Sequence, residues 1–420
     1  MLHSDGRRYR STALDRALAS ARTVLALGPL SGLDDEAMRA VLRAAQASSP
    51  TSRAALTPRT DTPVWDYRSD LDRHVATRDD LDSSDLGALI TELRTNPVTD
   101  SPLRVVICGD YLVLDYSHGI ADGQFGVMLS ALLSAGDTGH AGTVADSLEQ
   151  TAVWGALWRH YRANPTALKG LWQLRRQHKS APAPGVARRI PHWRASTLSV
   201  AAYLDPATVG RMREWAKATW PGSTTASITL TVWLAALRDV GVAVDDRVMI
   251  LMSCRRYLDR ERAAAQGNFA VGIPLHLPGA PAPDEVAAIT RAVTDSGWPI
   301  AILGMSEIKA RVPGRGVSGE DAEDGVVVGD RIRAAVSDIG RTPFYDRHRW
   351  VEGAGPPQLA AYLPPDGPDA VPLLVTEVSG GLTFTASFCT QVVEPTVIEK
   401  ALQRMTSDPI GLLESVRDGQ

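Results

Sequence analysis

Apolar residues first fall into a clear period after Leu33-Asp34-Asp35, where Met38, Val41, Leu42 and Ala45 recur at helical spacing. An aspartate there can cap the helix start, and Ser48-Ser49-Pro50 is a stop signal. The first 50 residues as a whole read as helical. Residues 56–82 are polar, broken by Pro58 and Pro63, and read as loop and short strand. The pattern then changes to a period of two. Arg104–Cys108 is a β-rich run, Gly109-Asp110 suits a two-residue hairpin turn, and residues 111–118 form a second strand. Alternation puts Tyr111, Val113, Asp115 and Ser117 on one face, and Leu112, Leu114, Tyr116 and His118 on the other. A helix follows Gly119-Ile-Ala-Asp122-Gly123, with Phe125, Met128, Leu129, Leu132 and Leu133 as its stripe and Gly136 as its end.

Residues 150–175 are helical again, with Trp154, Leu157, Trp158 and Tyr161 at helical spacing, a stripe best read as core. Residues 176–195 change character. Ala181-Pro-Ala-Pro-Gly185 is linker-like, flanked by Arg175, Arg176, Lys179, Arg188, Arg189 and Arg194. Beyond it the spacing predicts a strand over 197–203, helices at 206–219 and 224–239, and strands over 247–253 and 270–277. A mobile loop is expected over 311–324, then a hairpin of 373–378 with 382–388 around Ser379-Gly380-Gly381, and a last helix at 395–406. No short internal repeat is visible. Strands and helices mix in both halves, which predicts an α/β fold, each half a sandwich.

Length adds a domain count. At about 150 residues per domain, 420 residues allow two or three. The composition shift resolves this into residues 1–180, a linker over 181–195, and residues 196–420. With 44% hydrophobic and 22% charged residues the chain is an ordinary globular one. A net charge of -4 speaks against general nucleic-acid binding. The excess of 39 Arg over 5 Lys reads as a GC-rich genome before it reads as phosphate chemistry. Cys108, Cys254 and Cys389 are too few and scattered for a disulfide framework or a zinc site and fit a reducing compartment. No signal peptide is evident, and no apolar run reaches the ~18 residues of a membrane span. A cytoplasmic monomer is expected.

The chemistry concentrates at Ser117-His118-Gly-Ile-Ala-Asp122-Gly123. A histidine at a strand end before a tight turn can project into a cleft, and imidazole in general titrates near ~6.5, which suits proton abstraction at neutral pH. Asp122 can cap the helix or pair with an arginine. Gly123 would allow close backbone approach to a ligand. The plain alternatives are a structural histidine, a simple N-cap and two turn glycines. His118 and Asp122 could also ligate a metal, but no third ligand stands beside them.

SHGIADG resembles the His-His-x-x-x-Asp-Gly motif of the chloramphenicol acetyltransferase-like superfamily, which includes condensation domains of nonribosomal peptide synthetases and acyl-CoA-dependent acyltransferases. Residues 30–56 resemble the early helix of condensation domains. Cys254-Arg255-Arg256-Tyr257-Leu258 with Gly267-Asn268-Phe269 resembles their second-half arginine and Gly-Asn-Phe segments, and Ser337-Asp338-Ile339-Gly340 their Ser-Asn-x-Gly stretch. The resemblance covers nearly the whole chain.

It implies a pseudo-dimer of two α/β domains around a tunnel. The activity it implies is transfer of an acyl group from a coenzyme A or carrier-protein thioester to a hydroxyl or amine, in natural-product biosynthesis, with no bound cofactor. His118 would be the general base. Asp122 would be structural, paired with an arginine for which Arg68, Arg73 and Arg104 are candidates. Backbone near Gly123 would help stabilise the oxyanion, with Ser117, Ser337 and Asn268 on the substrate or oxyanion side. The basic stretch 175–194 could meet a carrier protein or coenzyme A phosphates, the plain alternative being a solvated linker. Trp298 and Trp350 could line the tunnel or sit in the core. Two departures stand out: Ser117 replaces the first histidine, and Asp338 replaces the usual asparagine. They leave open a non-catalytic docking protein of the same fold.

Overall fold

The computed structural model describes residues 8–96, 101–145, 152–179, 188–310 and 325–419. Within them, α-helices cover two mixed β-sheets. The 181–187 part of the expected linker and the loop expected over 311–324 lie outside the described residues. Residues 188–195 hold the strand Arg188–Ile190, paired antiparallel with Val326–Val328, and the start of a 3-10 turn at Trp193–Ser196.

The smaller sheet runs in the order Gln358–Ala361, Arg22–Gly28, Tyr111–Ser117, Leu103–Cys108, Val75–Thr77. The hairpin closes with Cys108 opposite Tyr111, so Gly109 and Asp110 make the turn, and Gly109 has a φ of 54° that favours glycine. The Asp35–Ser48 helix, N-capped by Asp34, buries Met38, Val41, Leu42 and Ala45 against this sheet's core. The larger sheet runs Ala270–His276, Arg247–Ser253, Arg333–Arg341, Ala370–Val378, Gly381–Cys389, Thr197–Leu204. Its core is built around the Thr225–Asp239 helix, which buries Ile228 through Leu237 without a break. One strand of the second half, Gln358–Ala361, pairs at the edge of the smaller sheet, and Thr376 Oγ1 donates to the Leu359 carbonyl at 2.5 Å. The two halves are therefore interlocked.

Several expectations change. The first 50 residues are not all helical: Arg22–Gly28 is a strand at the heart of the smaller sheet. It is buried on both faces and shows no alternation, so its period cannot distinguish it from a buried helix. The structure adds the helices Leu86–Thr95, Pro283–Asp295 and Trp298–Ala310, and Pro409–Asp418 follows the helix expected to be the last. Trp158 is 67% exposed rather than core, whereas Trp298 is buried in the larger core. No described helix is long and apolar enough to cross a membrane.

Candidate active site

The hairpin delivers its second strand, Tyr111–Ser117, into a five-residue turn, and the Gly123–Ala135 helix starts at once. This turn is held from both halves of the chain. On the first-half side, the His118 N–H donates to the Ala21 carbonyl at 2.8 Å. Arg53 donates to the carbonyls of Gly119, at 3.0 Å, and Ile120. Ser117 Oγ donates to the Ala19 carbonyl at 2.7 Å and accepts from the Gly119 N–H at 3.3 Å, so its hydroxyl is committed to backbone. A Cβ on Gly119 would lie 2.9 Å from Ala19 Cα and 3.1 Å from the Asp15 carbonyl oxygen. Only glycine fits there.

From the second half come Arg255 and the Gly267–Phe269 segment. The partner of Asp122 is Arg255, and not Arg68, Arg73 or Arg104. Those three are engaged elsewhere: Arg68 and Arg73 with Asp70, and Arg104 with the buried Asp115, which Arg22 also holds. Asp122 Oδ2 further accepts from the Phe269 N–H at 3.1 Å, and Oδ1 accepts from the Gln124 N–H at 3.3 Å as a helix N-cap. Arg255 also donates to the Gly267 carbonyl at 3.2 Å. One buried carboxylate thus ties the helix start to the loop that carries Asn268.

Asn268 touches His118 directly. Its amide nitrogen faces three acceptors: Asp15 Oδ1 at 3.0 Å, the His118 carbonyl at 2.8 Å and the Gly119 carbonyl at 3.4 Å. That fixes which end is the NH2. Asn268 Oδ1 therefore faces His118 Nδ1, at 3.1 Å, and Nδ1 must carry the proton. In the neutral ring the lone pair is then on Nε2, and no described residue hydrogen-bonds it. His118 itself is half-buried.

Asn268 is in turn anchored on a fully buried pair, Asp15 and Arg53, 2.7 Å apart. Burial would raise the Asp15 carboxyl, but Arg53, Asn268 and the Thr12 N–H together hold it below the ordinary range. Tyr9 donates to Asp15 at 2.8 Å and also meets Arg53. Asp15, Arg53 and Tyr9 carried no recognisable pattern in the sequence. Their only signal is three-dimensional.

Gly123 opens the helix that follows the turn. A Cβ there would meet nothing closer than Ile339 Cδ1 at 3.7 Å, an ordinary contact. Ser337 lies two residues earlier on the same strand, half-buried, and no hydrogen bond links it to His118 among the described residues. Asp338 accepts from the Gly340 N–H at 2.7 Å, and burial pushes its carboxyl up to about 6, with Glu377 adding to the rise and Gly340 and Arg213 opposing it. A raised acid stabilises the fold less when ionised. The cost is absent below the unfolded value near ~4 and complete above the folded value. Asp338→Asn is therefore expected to stabilise the protein by about 2 kcal/mol above pH 7 and to lose that advantage below pH 4, as denaturant titrations at several pH values would show. An advantage that does not change with pH would contradict the assignment.

The three cysteines are buried. Burial raises each thiol, Cys108 to about 11, so none is poised as a thiolate nucleophile. Among the described residues, no three His, Cys, Asp or Glu side chains converge to hold a metal.

Two mixed sheets joined by a strand exchange, with a histidine turn clamped between their halves, are the chloramphenicol acetyltransferase-like fold. Solved structures of that fold match nearly end to end. TRI3 trichothecene 15-O-acetyltransferase from Fusarium sporotrichioides is 12% identical with a TM-score of 0.59, over 98% of this chain and 97% of its own. The condensation domain from the monacolin K polyketide synthase MokA is 14% identical with a TM-score of 0.58, over 97% of each chain. F. sporotrichioides TRI101, complexed with coenzyme A and T-2, is 13% identical with a TM-score of 0.56, over 95% of this chain and 96% of its own. At such identities the likeness establishes the fold. No family model matches the sequence, and no curated protein does.

Proposed function

We propose that this protein is an acyltransferase of natural-product biosynthesis that moves an acyl group from a coenzyme A or carrier-protein thioester to a hydroxyl or amine. The observation that carries the reading is the His118–Asn268 hydrogen bond at 3.1 Å, which leaves Nε2 of the neutral ring as a free base. Nε2 takes the proton of the acceptor O–H or N–H as that atom attacks the thioester carbonyl. The tetrahedral oxyanion is stabilised by backbone N–H groups near Gly123, at the helix start where such donors lack intrahelical partners. The C–S bond then breaks, and the leaving thiolate recovers the proton from Nε2. Ester or amide and free thiol result, with no covalent enzyme intermediate, which agrees with the raised cysteines. Asp122 acts through the turn it holds and not on the substrate. Two solved proteins of the same fold support the reading, one named for acetyl transfer and one complexed with coenzyme A.

The test is release of thiol from a panel of acyl thioesters that depends on an added alcohol or amine. Gly123→Ala probes the oxyanion wall. The fold has room for the methyl, so melting should stay near wild type while turnover falls about tenfold or more. Gly119→Ala should instead lower the melting temperature, because its methyl would strike backbone. Full turnover in Gly123→Ala would remove that glycine from the site.

A second reading is a non-catalytic docking protein of the same fold. It is favoured by Ser117, whose hydroxyl is spent on the Ala19 carbonyl where the family motif has a histidine. Tight carrier-protein binding without transfer across the donor panel would select it.

A further inference from the structure

Residues 152–179 include Arg159, Arg162, Lys169, Arg175, Arg176 and Lys179 and not one Asp or Glu. This puts +6 on a short stretch of a chain whose net charge is -4, leaving -10 on the rest. The stretch folds as two helices, Ala152–Ala163 and Ala167–Gln177. The first is seated by Ala152, Val153 and Ala156 in the larger core. The second has no fully buried residue, and its half-buried Leu171 and Leu174 pack against that core. Its outer side shows Leu168 and Trp172, and Trp158 is exposed on the first helix, the two tryptophans at 59% and 67%. Met305 and Ile308 of the Trp298–Ala310 helix are exposed too, and Arg175 reaches Met305 Sδ at 4.0 Å. The Arg176 guanidinium lies 4.5 Å over the Trp172 ring, and Arg162 lies 6.0 Å over Trp158. Among the described residues, Arg159 of this stretch pairs with a carboxylate, Asp259.

Exposed tryptophan and leucine interleaved with arginine and lysine, with no acid in either of the two helices, is the composition of helices that lie in the headgroup layer of a bilayer. Trp158, Leu168 and Trp172 are each more than half exposed, which suits insertion between lipids better than capture of a partner helix. The opposite charge on the remainder of the molecule would turn this side toward an anionic surface. We propose that the two-helix segment over 152–177 docks peripherally on an anionic lipid bilayer, with Trp158, Leu168 and Trp172 at headgroup level and Lys169, Arg175 and Arg176 against lipid phosphates. The docking is independent of the acyl-transfer reading.

The experiment is flotation of the full chain with vesicles of phosphatidylcholine alone or mixed with phosphatidylglycerol. The protein should float with the mixed vesicles only, and rising salt should release it. Arg175→Glu with Arg176→Glu should cut the bound fraction at least about tenfold, and Trp158→Ala with Trp172→Ala should weaken it comparably. All four side chains are exposed, so melting curves should match wild type; the salt dependence of the unaltered chain decides the matter if a variant fails to fold. The proposal is overturned if the wild type ignores the mixed vesicles, or if charge reversal leaves binding unchanged. Binding of an acidic carrier protein through these residues, without vesicle binding, would overturn it as well.

Discussion

Replacing His118 with alanine should lower turnover by about 10²–10⁴-fold while the protein remains folded. Among the described residues the side chain makes one hydrogen bond, to Asn268, and the backbone contacts that hold the turn do not involve it. Its removal therefore takes away the base without releasing the clamp. The measurement is acceptor-dependent thiol release beside a thermal melt. Asn268→Ala is the companion variant. It leaves the ring but frees Nδ1, so the proton can sit on either nitrogen and the ring can turn. A smaller fall, in kcat more than KM, with an altered pH profile, is expected from a positioning residue. Undiminished release in His118→Ala would refute the histidine as base, whatever Asn268→Ala does. A loss in Asn268→Ala that tracks only a loss of melting temperature would reduce that residue to scaffold.

The parts of this site that the sequence made legible are the local ones. Strand, tight turn and helix follow one another within residues 111–135, and each leaves its own period or punctuation. Arg255 and Asn268 could be quoted by resemblance, but their partners could not be deduced. Asp122 was offered three arginines of the first half and chose one 133 residues away, because the second half folds back over the turn. Asp15 and Arg53 were invisible for a different reason. They lie 38 residues apart in the sequence, before and after the strand Arg22–Gly28, and no local period links one to the other. Periodicity also cannot say which face of a helix ends up covered, so the Trp154–Tyr161 stripe was read as core although Trp158 faces out.

The same buried pair supports the largest stability effect. Asp15→Ala would leave the Arg53 guanidinium, whose side chain is only 2% exposed, without its carboxylate. Breaking a buried pair from one side costs about 3–5 kcal/mol, a large share of the ~5–15 kcal/mol that holds a domain together. Removing both charges is different. Asp15→Ala with Arg53→Met should recover much of the loss, because no charge is left stranded, although the turn forfeits the arginine's bonds to Gly119 and Ile120. The pH dependence separates a charge effect from a packing effect. The Asp15 carboxyl is held below its unfolded value, so its contribution is complete above ~4 and is lost as pH falls through the lower folded value. Wild type should therefore lose stability in acid more steeply than the double variant, as denaturant titrations from neutral to acid pH would record. If both lose it in parallel, the pair contributes packing alone, and the link from Arg53 through Asp15 and Asn268 to the His118 ring carries no charge-dependent stability.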